Sequence, residues 1–108
     1  MKELIITESN FGQEVERSDK PVLVDFYADW CGPCKMLTST IAAIAEEMSD
    51  RLTVGKVNVD EQMKLALKYG VSSIPMLVLF RNGEPVASSV GYREKEEIVS
   101  MIDNALAK

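Results

Sequence analysis

The sequence contains no histidine and only two cysteines, and these two scarcities bound its chemistry tightly. Without histidine there can be no Cys–His protease, Ser–His hydrolase, c-type haem attachment or mixed Cys/His zinc site. Two thiolates cannot complete a zinc tetrahedron, so a metal site would require two chains to share an ion; neither metal nor cofactor is expected. Positive charge is also scarce. With 12 Lys and Arg against 17 Asp and Glu, the net charge is −5 and the pI near 4.7, which argues against nucleic acid or an anionic membrane as a main partner. The acidity is scattered, with no block that reads as a tail. Long hydrophobic runs are missing too. None approaches the roughly 20 apolar residues of a membrane span, and Leu4-Ile5-Ile6 falls far short of the roughly 7–15 of a signal-peptide core. The expectation is a monomer in a reducing cytoplasm with no membrane partner, where a purely structural disulfide would be unusual.

What is present is ordinary for one globular domain spanning 1–108: 46% apolar and 27% charged residues, with no repeat or linker. Short β-branched runs alternate with amphipathic segments. Leu4–Thr7 reads as a strand, and Asn10-Phe11-Gly12-Gln13 as a capping-box-like start to a helix near Phe11–Arg17. Pro21 opens Val22–Tyr27, apolar on both faces and therefore central. Leu37, Ile41, Ile44 and Met48 step by four, three and four, which is one face of a helix from Pro33 to about Met48. Thr53–Asn58 is a strand, and Glu61–Tyr69 a short helix with Met63, Ala66 and Leu67 inward, ended by Gly70. Pro75 introduces Met76–Phe80, Asn82-Gly83 signals a type I′ hairpin, and Pro85 marks Glu84–Val90 as an edge strand. Ile98, Met101, Ile102 and Ala105 define a last helix. The order βαβαβαββα predicts an α/β fold, a mixed sheet with helices on both faces.

Both cysteines lie in Trp30-Cys31-Gly32-Pro33-Cys34-Lys35, between an apolar strand and a helix. A Cys-x-x-Cys at such a boundary is the mark of a redox dithiol. Residues three apart in a first helical turn face each other at about 5–6 Å between Cβ atoms, so a small adjustment closes a disulfide. The helix amino terminus favours the thiolate that attacks. Cys31, at the start, is expected to be the more exposed sulfur and the nucleophile; Cys34, one turn in, the more buried and the resolving thiol. The bland alternative is a structural pair. Gly32 and Pro33 shape the loop between the thiols, or simply begin a helix.

Asp25 interrupts the apolar central strand, where desolvation raises a carboxyl pKa toward neutrality and suits it to proton transfer. The alternative is a structural aspartate that reaches solvent at a strand end. Lys56 shares one side of its strand with Val54 and Asn58; taken alone it reads equally well as a solvated lysine.

The series Val24-Asp25-Phe26, Trp30-Cys31-Gly32-Pro33-Cys34-Lys35, Asn58-Val59-Asp60, Lys68-Tyr69-Gly70-Val71, Ser73-Ile74-Pro75, Asn82-Gly83 and Val90-Gly91 resembles the thioredoxin family from end to end, in order and spacing. The resemblance implies a five-stranded mixed sheet flanked by four helices. It also implies a protein disulfide reductase that acts on disulfide-containing proteins and is recharged by a thioredoxin reductase. On the same grounds Asp25 lies beneath the dithiol and assists deprotonation of Cys34, Lys56 tunes Asp25, and Gly32-Pro33 belongs to reducing members. Ile74-Pro75 is then a cis peptide opposite the dithiol, and Trp30, Val90 and Gly91 complete an apolar docking patch around Cys31; Trp30 alone would read as a core aromatic. An oxidase or isomerase on the same fold and a redox-inert binding module are the competitors. Absence of an export signal and the Gly-Pro dipeptide weigh against the first, Asp25 against the second. Ser39, Met76, Tyr27 and Glu94 depart from the family pattern, at a helix-kinking proline, a threonine, a tryptophan and a Ser/Thr helix cap respectively. Glu94 is a weak N-cap type. With serine at 39 the long helix is expected to run unbroken.

Overall fold

Successive residues of a strand point to opposite faces of its sheet, and the run from Val22 to Tyr27 is apolar on both, so it has to be covered on both. In the computed structural model, which describes residues 3–107, it is. Residues 1, 2 and 108 of the expected domain lie outside the described residues. In chain order the elements are β1 (Glu3–Ile5), α1 (Gly12–Glu16), β2 (Val22–Tyr27), α2 (Gly32–Glu47), β3 (Thr53–Asn58), α3 (Met63–Lys68), β4 (Met76–Arg81), β5 (Glu84–Val90) and α4 (Lys95–Leu106). The sheet has five strands in the order β1-β3-β2-β4-β5. β1, β3 and β2 are mutually parallel, whereas β4 and β5 are antiparallel to their neighbours.

Alternation along β2 splits the core in two. Leu23 faces one layer with Leu37, Ile41 and Ile44 of α2, Ile98 and Ile102 of α4, and Leu77 and Leu79 of β4. Val22, Val24 and Phe26 face the other, with Val15 of α1, Leu65 of α3 and Phe80. There the rings of Phe11, Tyr69 and Phe80 pack with centroids 5.0–5.6 Å apart. Helices thus cover both faces. β5 is the edge strand that Pro85 requires, and Asn82 and Gly83 take φ of 54° and 80°, the paired positive values of a type I′ turn.

Three local expectations are corrected. β1 ends at Ile5, because Thr7 and Asn10 close a turn: the Thr7 amide donates to Asn10 Oδ1 and the Asn10 amide to Thr7 Oγ1. Asn10 is thereby occupied and does not cap α1, a single wide turn closed by the Arg17 amide donating to the Gly12 carbonyl. α3 starts at Met63 and buries Leu65 and Ala66, while Met63 and Leu67 face solvent at 63% and 78% exposure. In a helix this short, apolar residues on either side could have turned inward, and packing of Leu65 beside Val57 and Phe26 selects the face. Its carboxyl end follows the sequence: the Gly70 amide reaches the Leu67 carbonyl and the Val71 amide that of Ala66, with Gly70 at φ 67°.

The long helix α2 is unbroken through Ser39, as a residue with a backbone amide allows. Glu94, a weak cap by type, works reciprocally: its side chain accepts from the Glu97 amide while Glu97 accepts from its own.

Candidate active site

The end of β2 and the start of α2 bring the two cysteines together. Cys31 is the N-cap, with extended φ of −90° and ψ of 111°, and Cys34 lies in the first helical turn. Their Cα atoms are 5.2 Å apart and the sulfurs are joined in a disulfide. The expected difference in exposure is absent. Cys31 and Cys34 are 4% and 5% exposed, because Ala28, Tyr27, Val59 and Ile74 pack around both. Surroundings distinguish them instead. The Cys34 amide donates to Cys31 Sγ at 3.1 Å, so the open end of the helix addresses the Cys31 sulfur and would stabilise negative charge there. Cys34 lines a small cavity of about 140 Å³ with Asp25, Tyr27, Ala28, Asp29, Lys35, Thr38 and Lys56; Cys31 does not.

Asp25 is 3% exposed and its Oδ1 has no hydrogen-bond partner among the described residues. Burial pushes its carboxyl pKa up to about 6; Lys56 opposes that rise, and Glu3 adds to it. Lys56 stands beside Asp25 in the parallel register of β2 and β3, so both side chains leave the same face of the sheet. Its Nζ lies 4.6 Å from the centroid of the Tyr27 ring, a cation–π distance. The Tyr27 phenol is itself pushed above its ordinary pKa by burial and by Asp29, against a hydrogen bond with the Asn58 side chain.

On the other side of the disulfide, Ile74 packs against the cysteines and leads through a cis peptide into the buried Pro75. The Pro75 carbonyl accepts from the Gly91 amide at 2.8 Å, which ties the end of β5 to this loop, and Val90 is 49% exposed beside it. Trp30 is no core aromatic. It is 70% exposed, and its Nε1–H donates to Asp60 at 2.8 Å. Gly32 and Pro33, both exposed, form the first turn of α2.

Two contributors escaped the sequence. Asn58, buried at the end of β3, accepts from the amides of Asp60 and Glu61, and so holds the loop that anchors Trp30. Asn58-Val59-Asp60 was visible only as a family mark, since nothing in its composition shows a buried amide. Thr38 borders the cavity and donates to the Cys34 carbonyl at 3.3 Å; its signal was its place one turn after Cys34.

A dithiol on a helix amino terminus, over a buried carboxyl and beside a cis-proline loop, defines a dithiol–disulfide oxidoreductase of the thioredoxin fold. The thioredoxin family model matches residues 2–104. The chain is 43% identical to a thioredoxin of Alicyclobacillus acidocaldarius subsp. acidocaldarius, over 95% of this chain and 97% of that one. It is 44% identical to a thioredoxin of Rickettsia felis, over 94% and 96%, and 42% identical to one of Acidithiobacillus ferridurans, over 95% of each. The chain belongs to the thioredoxin family. Its function is that of a thioredoxin-type protein disulfide reductase, working by dithiol–disulfide exchange through Cys31-Gly32-Pro33-Cys34.

Proposed function

We propose that Cys31 attacks the substrate disulfide and Cys34 resolves the intermediate, with Asp25 as the proton acceptor for Cys34. In the reduced protein the Cys31 thiolate attacks one sulfur of the substrate disulfide. A mixed disulfide forms and the other substrate sulfur leaves as a thiolate. Cys34 then passes its proton to the Asp25 carboxylate and attacks Cys31 Sγ, which closes the Cys31–Cys34 disulfide and releases the second substrate sulfur as a thiolate. The observation that carries this assignment is the cavity shared by Cys34 and Asp25, which Cys31 does not line. A base with a pKa of about 6 is substantially ionised near neutral pH and still basic enough to accept a proton. The cavity is polar and has room for water, so transfer can run through a relay. Lys56 favours the ionised form of Asp25, and Tyr27 holds the lysine over its ring.

Trp30, Ile74, Pro75, Val90 and Gly91 form the docking surface in this proposal. Exposed apolar groups beside strand-edge backbone suit extended, flexible substrates held by main-chain contacts. The family implies disulfide substrates and a thioredoxin reductase. We further assign the chain one domain, a monomeric state and a cytoplasmic location, in keeping with its acidity; no helix among the described residues is long and apolar enough to cross a membrane.

The direction of the reaction is tested by equilibrating the dithiol with glutathione buffers. A potential well below that of the glutathione couple is expected, near the reducing end of the family range. A potential at or above that couple would favour the oxidase or isomerase alternative, and failure to titrate at all would favour the inert module.

A further inference from the structure

Asp25 is not the only residue on its side of the sheet with a buried, unpartnered carboxylate oxygen among the described residues. Glu3, on the edge strand β1, is partly buried, and its Oε1 has no hydrogen-bond partner among the described residues. The registers place it. Glu3 pairs with Val54 and Val54 with Leu23, while Ile5 pairs with Lys56 and Lys56 with Asp25. Glu3, Lys56 and Asp25 therefore rise from the same face on three neighbouring strands, with the lysine on the middle one. Strands lie about 4.8 Å apart and rise about 3.3 Å per residue, so the Glu3 and Asp25 backbones are roughly 12 Å apart, with β3 between them.

We propose that Glu3 is a positioning residue for the exchange reaction: from the sheet edge its carboxylate adds negative potential at Asp25 and so helps set the pH at which Asp25 gives up its proton. Lys56 stands on the strand between the two, but its ammonium leans over the Tyr27 ring, toward the other end of the strands from Glu3, which leaves the two carboxylates facing each other's charge across β3. Direct repulsion between the carboxylates favours a protonated Asp25, and Glu3 adds to the upward shift of that group. The other charged or titratable groups around Asp25 are Tyr27 on its own strand, Asp29 in the following loop, and Lys35 and Cys34 on α2. Glu3 is the one among these charged groups that reaches Asp25 from across β3 without lining the cavity, so replacing it leaves the cavity wall intact.

The proposal rests on the proton-transfer role of Asp25 only for its effect on rate, and the test separates the two. Asp25 is titrated by carboxyl carbon NMR in the parent, Glu3→Gln and Glu3→Asp proteins, and resolution of a preformed mixed disulfide is timed across pH in each. Loss of the Glu3 charge should lower the Asp25 midpoint by roughly 0.3–1 pH unit, the span for two charges about 12 Å apart between water-like and protein-like dielectric. Glu3→Asp should return it toward the parent value. The pH–rate inflection should follow the midpoint, and Glu3→Gln added to Asp25→Asn should leave the profile where Asp25→Asn alone puts it. A midpoint that does not move in Glu3→Gln overturns the proposal, whatever that variant does to stability. A midpoint that moves while the rate inflection stays keeps the coupling and overturns the proton-transfer role of Asp25.

Discussion

Asp25 and Lys56 are register partners on adjacent parallel strands, yet Asp25 Oδ1 has no hydrogen-bond partner among the described residues and the lysine ammonium lies over the Tyr27 ring. A tight ion pair would hold Asp25 ionised well below neutral pH. The looser arrangement leaves desolvation as the larger effect, and the carboxyl rises to about 6.

Replacement of each cysteine separates their roles. Cys34→Ser should accumulate a mixed disulfide at Cys31, since the resolving thiol is gone, and Cys31→Ser should form none with a substrate disulfide. Mass spectrometry of each variant after exposure to a disulfide protein reads this directly. A stable adduct on Cys31→Ser alone would reverse the assignment, and the near-equal burial of the two sulfurs makes that test necessary.

Asp25→Asn should change stability with a definite pH signature. The folded carboxyl, at about 6 rather than 3.8, binds its proton more tightly than the unfolded one. Stability from this group is present below about pH 4 and lost as pH rises through 6, a fall of up to about 3 kcal/mol. The variant should lack that fall and be the more stable protein at pH 8, as urea melts across pH will record. Its resolving step at neutral pH should slow by something of the order of 10²-fold, the scale of a lost general base. Parallel stability curves would show that Asp25 reaches solvent or a partner.

Lys56→Met removes the charge that opposes the rise of Asp25, so the midpoint of Asp25 and the pH–rate inflection should both move to higher pH. Near pH 7 the variant should be slower, and above pH 8 its rate should approach that of the parent. An inflection that stays in place would make Lys56 a solvated strand lysine.

Asn58→Ala strips the amides of Asp60 and Glu61 of their acceptor and leaves the Tyr27 phenol without its partner. Partly buried donors without acceptors cost about 1–3 kcal/mol, measurable in denaturant melts. Because Asp60 fixes Trp30, indole fluorescence should also report greater mobility. A variant as stable as the parent with unchanged fluorescence would assign the loop to other contacts.

Much of this molecule was legible along the chain, because the relevant physics is local. The run Val22–Tyr27 had to be central because it is apolar on both faces. Asn82-Gly83 had to turn because both residues accept positive φ, and a Cys-x-x-Cys entering a helix had to bring its sulfurs within bonding reach. Even the unbroken α2 followed from one amide, that of Ser39. Other features are decided by contacts between distant residues. Met63 and Leu67 were expected inward, but a helix under two turns long has no pattern strong enough to choose its face, and Leu65 chose it by packing on β2 and β3. Cys31 was expected to be more exposed, but residues brought in from far along the chain, Val59 and Ile74, pack against the cysteine cluster and bury both residues almost equally. What distinguishes the cysteines is the cavity beneath Cys34, assembled from β2, α2 and β3. Composition excluded histidine chemistry and left two thiols, and the place of Asp25 in an apolar strand marked out the carboxylate. Which thiol meets that carboxylate, and what charge surrounds it, was decided by strand register, because electric fields act through space rather than along sequence.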